Sequence, residues 1–370
     1  MLLNPGPTNT SARVKQAQVA DDICPRQPEF GEVLATISEN LLRVVDAPAA
    51  DYAATLICGS GTAAVEAAIA SLVRPNGRLL VLKNGNYGER LVQIARANAI
   101  ECDALDPGWA QRYDLDALER RLTAQRYTQL AVVHVETSTG VLNDVASICA
   151  LCRRHNVESI VDSMSALGGI PIDLPALGAD WVAASANKCL QGLPGMSFVI
   201  GRRARLDDLA PIPGRSLYLN LGAQYRYFRD HRQMRFTPAV SVTLALDAAL
   251  KELLEEGLPA RRARYVACFE TLHRGMRDLG FRCPIEDTQL SRLVTPYLEP
   301  SHPRYSFELL YSELYRRGYT LFPSTVVPPS SSPIASYFRV ANIGAIVPEQ
   351  IRGFLDALAE VSRAWMPLYA

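Results

Sequence analysis

The sequence predicts an α/β protein, with a large domain built on a mostly parallel sheet and a smaller α+β domain at its C-terminal end. Three observations carry this. Short apolar runs alternate with amphipathic helical patterns over the first two hundred residues, as strands buried on both faces and crossed by helices do. Near residue 238 the texture changes to long helices. The chain has 370 residues, more than one compact core usually holds, so two domains sharing an interface are expected.

Taken in order, strands are expected at ATLIC (54–58), RLLVLK (78–83), LAVVHVE (130–136), ESIVD (158–162), WVAASA (181–186) and FVIG (198–201). Between them TAAVEAAIASLV (62–73), GERLVQIARANA (88–99), DLDALERRLTA (114–124) and DVASICALCRRH (144–155) repeat apolar residues at helical spacing. Downstream, AVSVTLALDAALKELLEEG and ARRARYVACFETLHRGMRDLG read as long helices. Strands near 292–298 and 337–341 and a closing helix, VPEQIRGFLDALAEVSRAW, follow. PPSSSP (328–333) reads as a short loop. The expected division is an N-terminal arm at 1–15, a large domain at 16–245 and a small C-terminal domain at 246–370.

Composition narrows the function classes. Formal net charge is zero, with 48% hydrophobic and 21% charged residues, and no basic run or acidic tail is present. Nucleic acid and anionic membrane are therefore not expected as main partners. No apolar stretch approaches the roughly 20 residues a membrane helix needs. The start, MLLNPGPTNTSARVK, lacks the cationic opening and apolar run of a secretory leader. Eight cysteines in so long a chain fit reduced thiols and a cytoplasmic setting. Cys149 and Cys152 have the spacing of half a zinc site, but no second cysteine pair completes it, and they read as small buried side chains rather than metal ligands.

In open parallel sheets chemistry gathers at the carboxyl ends of the strands. After ATLIC come Gly59, Ser60, Gly61 and Thr62, a turn into an alanine-rich helix. Glycines, hydroxyls and free N–H groups there suit a phosphate; a plain turn with Ser60 or Thr62 as helix cap is the other reading. After LLVLK comes Tyr87 in NGNYG, placed to stack on a flat ligand or to cap the core. After LAVVHV comes the hydroxyl-rich Glu136–Gly140, a site wall or a helix cap. After ESIV comes Asp162, a carboxylate that burial destabilises unless a cation meets it. After WVAASA come Asn187 and Lys188. The chain has only four lysines (Lys15, Lys83, Lys188 and Lys251), nearly all other cations being arginine. An ammonium at the end of a buried strand has its pKa pushed down, the condition under which lysine attacks carbonyls. A phosphate loop, a carboxylate and a desolvated lysine at neighbouring strand ends form the set pyridoxal 5′-phosphate requires.

Nine stretches also resemble the class V aminotransferase group of fold-type I pyridoxal-phosphate enzymes. They are LLNPGPTNTS (2–11), GSGTAAVEA (59–67), NGNYGER (84–90), HVETSTGVLN (134–143), VDSMSALGGIPIDL (161–174), SANKCLQGLPG (185–195), RSLYLNL (215–221), RFTPAV (235–240) and FRVANIGAI (338–346). Within that group the combination is most similar to enzymes exchanging an amino group between an aminophosphonate and pyruvate or alanine. The resemblance implies that Lys188 anchors the cofactor aldehyde and that Asp162 pairs with its pyridine nitrogen. It implies that Ser60, Gly61 and Thr62 hold its phosphate, and that Thr139 and Tyr87 contact its ring. Thr237 would reach the phosphate of the other subunit's cofactor, implying a homodimer with shared sites. Arg339 would grip the substrate anion. DDICPRQPEFGEVL (21–34) departs from the group's usual segment there; its Arg26 is either a second anion contact or a surface arginine. A sister aminotransferase for alanine and glyoxylate or serine and pyruvate shares the same cofactor frame. A non-catalytic scaffold shares the fold, and assays separate the three.

Overall fold

The computed structural model describes residues 1–213, 215–363 and 365. Two helices, α1 (Ala12–Gln16) and α2 (Pro28–Val44), lead into β1 (Tyr52–Cys58). Then α3 (Gly61–Leu72), β2 (Leu79–Leu82), α4 (Asn86–Ala97), β3 (Cys102–Leu105), α5 (Leu115–Ala124) and β4 (Gln129–Val133) alternate. A two-stranded ribbon of β5 (Val135–Glu136) and β6 (Val141–Leu142) precedes α6 (Val145–Arg154), β7 (Glu158–Asp162), α7 (Leu174–Leu177), β8 (Trp181–Ser185) and β9 (Met196–Arg202). Helices α8 (Arg203–Asp207), α9 (Leu221–His231), α10 (Val240–Glu256) and α11 (Leu258–Asp278) follow. The C-terminal part holds β10 (Val294–Leu298), α12 (Phe307–Arg316), β11 (Tyr337–Ala341) and α13 (Pro348–Ser362).

The sheet has seven strands in the order β1-β9-β8-β7-β4-β2-β3. All are parallel except β9, which runs antiparallel to both β1 and β8. The mostly parallel prediction therefore holds, with FVIG as the reversed strand. Central strands are buried on both faces, so each is a continuous apolar run rather than an alternating one. One core packs α2 and α6 on one face of the sheet. A second packs α3 and α4 on the other. The C-terminal part has its own core around Phe281, Tyr297, Phe338 and Phe354. Helix α10 runs unbroken across residues 245 and 246.

Besides the short α1, β6, α7 and α8, four longer elements lie outside the sequence reading. Strand β3 is a partly exposed edge with the mixed sequence CDAL. Helix α2 opens with Pro28 at its first turn, where proline's fixed φ suits a helix start. Helices α9 and α12 make up the rest. Cys149 and Cys152 are buried and unpaired; burial pushes the Cys149 thiol up to about 11 and Cys152 higher still. Among the described residues no group of three or more His, Cys, Asp or Glu is placed to hold a metal. Among them, too, no helix is long and apolar enough to cross a membrane.

Candidate active site

The parallel strands β1, β4, β7 and β8 end on one edge of the sheet, where the turns after them enclose a cavity of about 190 Å³. Ser60, Gly61, Thr62, Tyr87, Asp162 and Lys188 all line it. Larger cavities, of about 530, 590 and 830 Å³, open elsewhere and contain neither Lys188 nor Asp162.

Lys188 sits on the turn after β8, and that turn is clamped from behind. The Cys189 carbonyl accepts hydrogen bonds from Tyr265 Oη at 3.2 Å and Arg261 Nη1 at 3.1 Å, both from α11. The Lys188 carbonyl accepts one from Thr8 Oγ1 at 3.1 Å. Its Nζ donates to the Pro5 carbonyl at 2.8 Å, so the N-terminal arm backs the lysine tip. Gly6 stands there with φ +147°, and a Cβ on it would lie 2.5 Å from Lys188 Nζ; only glycine allows the arm this approach. Burial lowers the Lys188 pKa from 10.5 to about 8, with Arg339 and Arg90 adding to the shift and Asp162 opposing it. The reactive lysine expected from the sequence thus has the environment that makes its amine available near neutral pH.

Asp162 ends β7, beside β8 in the sheet (Asp162 opposite Ala183). It is 8% exposed and accepts one hydrogen bond, from Met164 N–H at 3.0 Å. Among the described residues it has no ion-pair partner. Burial raises its pKa to about 6, with the nearby Glu136 adding to the shift and Lys188 opposing it. A carboxylate kept in this state asks for a cationic N–H, as a protonated pyridine nitrogen supplies.

Helix α3 starts at the cavity. Its N-cap Ser60 makes no side-chain capping bond, so first-turn N–H groups remain for an outside acceptor, and the helix dipole favours an anion there. An isolated buried carboxylate, an available amine and an uncapped helix start on one cavity together fit pyridoxal phosphate. Lys188 would take its aldehyde, Asp162 its ring nitrogen and the α3 turn its phosphate.

Glu136 organises the opposite wall. Fully buried, it accepts N–H bonds from Tyr87 at 3.1 Å and Gly88 at 3.0 Å, capping α4 and so fixing Tyr87. Ser138 N–H and its hydroxyl also donate to it. Burial raises its pKa, and these donors oppose the rise.

The remaining predicted residues stand further out. Thr139 is buried and donates to the Glu136 carbonyl; its neighbour two residues back, Thr137, lines the cavity instead. Arg339, opposite Pro296 in the β10–β11 pair, does not line the cavity. It donates from Nη1 to the Thr137 carbonyl at 3.2 Å and lies 4.7 Å from the Phe322 ring centroid. Its Nε is buried without a partner. Thr237 is exposed before α10. Arg26 donates to the Met234 and Arg235 carbonyls, on the loop that leads to Thr237. Sequence reasoning missed Arg90, Thr137 and the arm residues Pro5 and Gly6. Arg90 had a readable signal, its place three residues after Tyr87 in the first turn of the predicted helix 88–99.

The sequence profile of the family described as aminotransferase class-V matches residues 15–310. A curated relative, the 2-aminoethylphosphonate–pyruvate transaminase of Klebsiella pneumoniae, is 39% identical over 364 residues, 97% of this chain and 96% of its own. The enzyme of the same name from Vibrio cholerae is 37% identical over 361 residues, covering 97% and 96%. Among solved structures, an alanine–glyoxylate aminotransferase from Nostoc superposes with a TM-score of 0.88 at 26% identity, over 97% of this chain and 94% of that one. A pyridoxamine–pyruvate aminotransferase from Mesorhizobium loti gives 0.87 at 22% identity over 98% and 92%, which is a likeness of fold.

Proposed function

Since the chain belongs to the class V aminotransferases, we propose that it moves the amino group of 2-aminoethylphosphonate onto pyruvate, reversibly giving phosphonoacetaldehyde and L-alanine. It is an aminotransferase, and its cofactor is pyridoxal 5′-phosphate. The substrate assignment is carried by one observation: curated relatives at 36–39% identity over 97% of the chain bear that name. Arg339 supports it from this chain's own residues. Behind the Thr137 wall, with an unpartnered buried Nε, it is a cation that a phosphonate in one half-reaction and a carboxylate in the other would both satisfy.

When bound, pyridoxal phosphate supplies an electron sink for the substrate carbon that loses its proton. In the proposed mechanism Asp162 keeps the ring nitrogen protonated. Lys188 Nζ, in the neutral form that its lowered pKa makes accessible, would take the proton from the substrate carbon and return it on the other side of the exchange. Tyr87, set by the Glu136 cap, would stack on the ring, and Thr139 would brace the turn beside it. Ser60, Gly61 and Thr62 bind the phosphate.

A homodimer fits the remaining residues. Leu217, Tyr218 and Phe236 are exposed apolar side chains, and the Tyr218 and Phe236 rings stack with centroids 5.4 Å apart. The Tyr218 hydroxyl donates to the Cys58 carbonyl, at the entrance to the phosphate turn. Covered by a second copy, this patch would carry Thr237 to the other subunit's cofactor, with Arg26 shaping the same loop as a second anion contact. A cytoplasmic setting fits eight free cysteines. The proposed division is an arm at 1–15, a large domain at 16–245 and a small domain at 246–370, with the arm meeting Lys188 at Pro5 and β11 meeting the Thr137 turn through Arg339.

The test is alanine formation from pyruvate with 2-aminoethylphosphonate, serine or a blank as amine, beside glyoxylate with alanine. A kcat/KM at least tenfold higher for 2-aminoethylphosphonate is expected. Preference for serine, or for glyoxylate with alanine, rejects the assignment.

A further inference from the structure

We propose that Arg90 is a counter-charge for the cofactor phosphate, a role that rests on the pyridoxal-phosphate reading of the cavity. Arg90 lies in the second turn of α4 and lines the same cavity as Ser60, Gly61, Thr62, Asp162 and Lys188. Its Nη1 is 3.5 Å from Thr62 Oγ1, and its guanidinium carbon is 4.8 Å from the Tyr87 ring centroid. These contacts place a cation between the start of α3 and the face of Tyr87. Among the described residues no carboxylate lies within ion-pair distance of it. The adjacent Glu89 pairs with Lys83 at 3.1 Å instead.

The α3 start offers neutral N–H donors and about half a unit of positive charge from its dipole. A phosphate monoester carries between one and two negative charges near pH 7. The cavity's other cation, Lys188, is committed to the Pro5 carbonyl, and Arg339 stays outside the lining, on the Thr137 carbonyl. Among the described residues lining the cavity, Arg90 supplies the full charge on the α3 side. Its donors are arranged in a fork suited to phosphate oxygens, and stacking on Tyr87 orients that fork. The two arginines thereby divide two anions: Arg90 takes the cofactor's and Arg339 the substrate's.

The experiment compares binding of pyridoxal phosphate and of pyridoxal, which lacks the phosphate, with no amine present. Cofactor-stripped wild type, Arg90→Gln and Arg90→Lys are titrated by fluorescence quenching, with circular dichroism confirming that each is folded. Arg90→Gln should weaken pyridoxal phosphate about tenfold or more, the scale of one charged hydrogen bond, and leave pyridoxal within twofold of wild type. Arg90→Lys, which keeps the charge but not the fork, should lose less affinity for pyridoxal phosphate than Arg90→Gln. Equal losses for both ligands would mean that Arg90 acts only by bracing Tyr87, and undiminished affinity for pyridoxal phosphate would remove its role; either overturns the proposal and leaves the cofactor reading standing. Failure of the wild type to bind either ligand would overturn both.

Discussion

Replacing Asp162 with asparagine should make the cofactor-free protein more stable at neutral pH while disabling it. The side chain is almost wholly buried, and its pKa is raised from 3.8 to about 6, chiefly by burial. A raised folded-state pKa means that the folded protein holds the proton more tightly than the unfolded chain. The stability so gained is fully present below about 3.8 and is lost as pH rises through about 6. With 1.36 kcal/mol per pK unit, ionised Asp162 costs the fold about 3 kcal/mol at pH 7.5 and about half that at pH 5. Lys188, depressed to about 8, works oppositely: its penalty is full below about 8 and is relieved as pH rises toward 10.5. It is mostly protonated at both pH values and largely cancels from the comparison. Asparagine keeps an oxygen for the Met164 N–H and removes the buried charge. Urea unfolding of stripped wild type and Asp162→Asn should therefore show the variant more stable by about 2–3 kcal/mol at pH 7.5, the gap narrowing at pH 5. A variant no more stable than wild type at pH 7.5, or a gap that ignores pH, would refute the claim that burial sets this carboxyl.

Three further outcomes are expected. Arg339→Ala should raise KM for both the amine and the keto acid roughly tenfold to a hundredfold, as loss of a charge-assisted contact does, with the bound cofactor's visible spectrum intact in steady-state and absorbance measurements. Glu136→Gln removes one of the two carboxylate oxygens that accept from Tyr87, Gly88 and Ser138; the urea midpoint should fall by the equivalent of about 1–3 kcal/mol. Gly6→Ala puts a methyl group against Lys188 Nζ; kcat should fall and the pH–rate profile should shift, while the KM for pyruvate stays within twofold.

Much of the site was legible because strands buried on both faces announce themselves. Asp162 and Lys188 each end an apolar run, and a charge there has no inexpensive structural explanation. Parallel strands share one chemical edge, so the two could be placed together without coordinates. Thr137 and Thr139 show where that logic stops. Both follow the same strand, and only the tight β5–β6 turn decides which hydroxyl faces the cavity. Arg339 was identified by its stretch, but its place behind Thr137 depends on the packing of β11 against that turn. Strand β3 escaped notice because its half-exposed CDAL lacks an apolar run. Helix α2 escaped because its proline-marked start reads as loop. The arm's approach to the lysine joins residues 183 positions apart, and no periodicity encodes such a contact.

The arm has a consequence for the order of assembly. Leu2 and Asn9 bridge to Thr320 and Gly344, and the Leu3 carbonyl accepts from Ala341 N–H. Residues 2–9 thus wait for partners more than 300 positions further along the chain. Contacts of such long sequence separation form late. The helices and the sheet should consequently be in place before the chain can capture its coenzyme, and renaturation followed by far-ultraviolet dichroism should run ahead of coenzyme uptake.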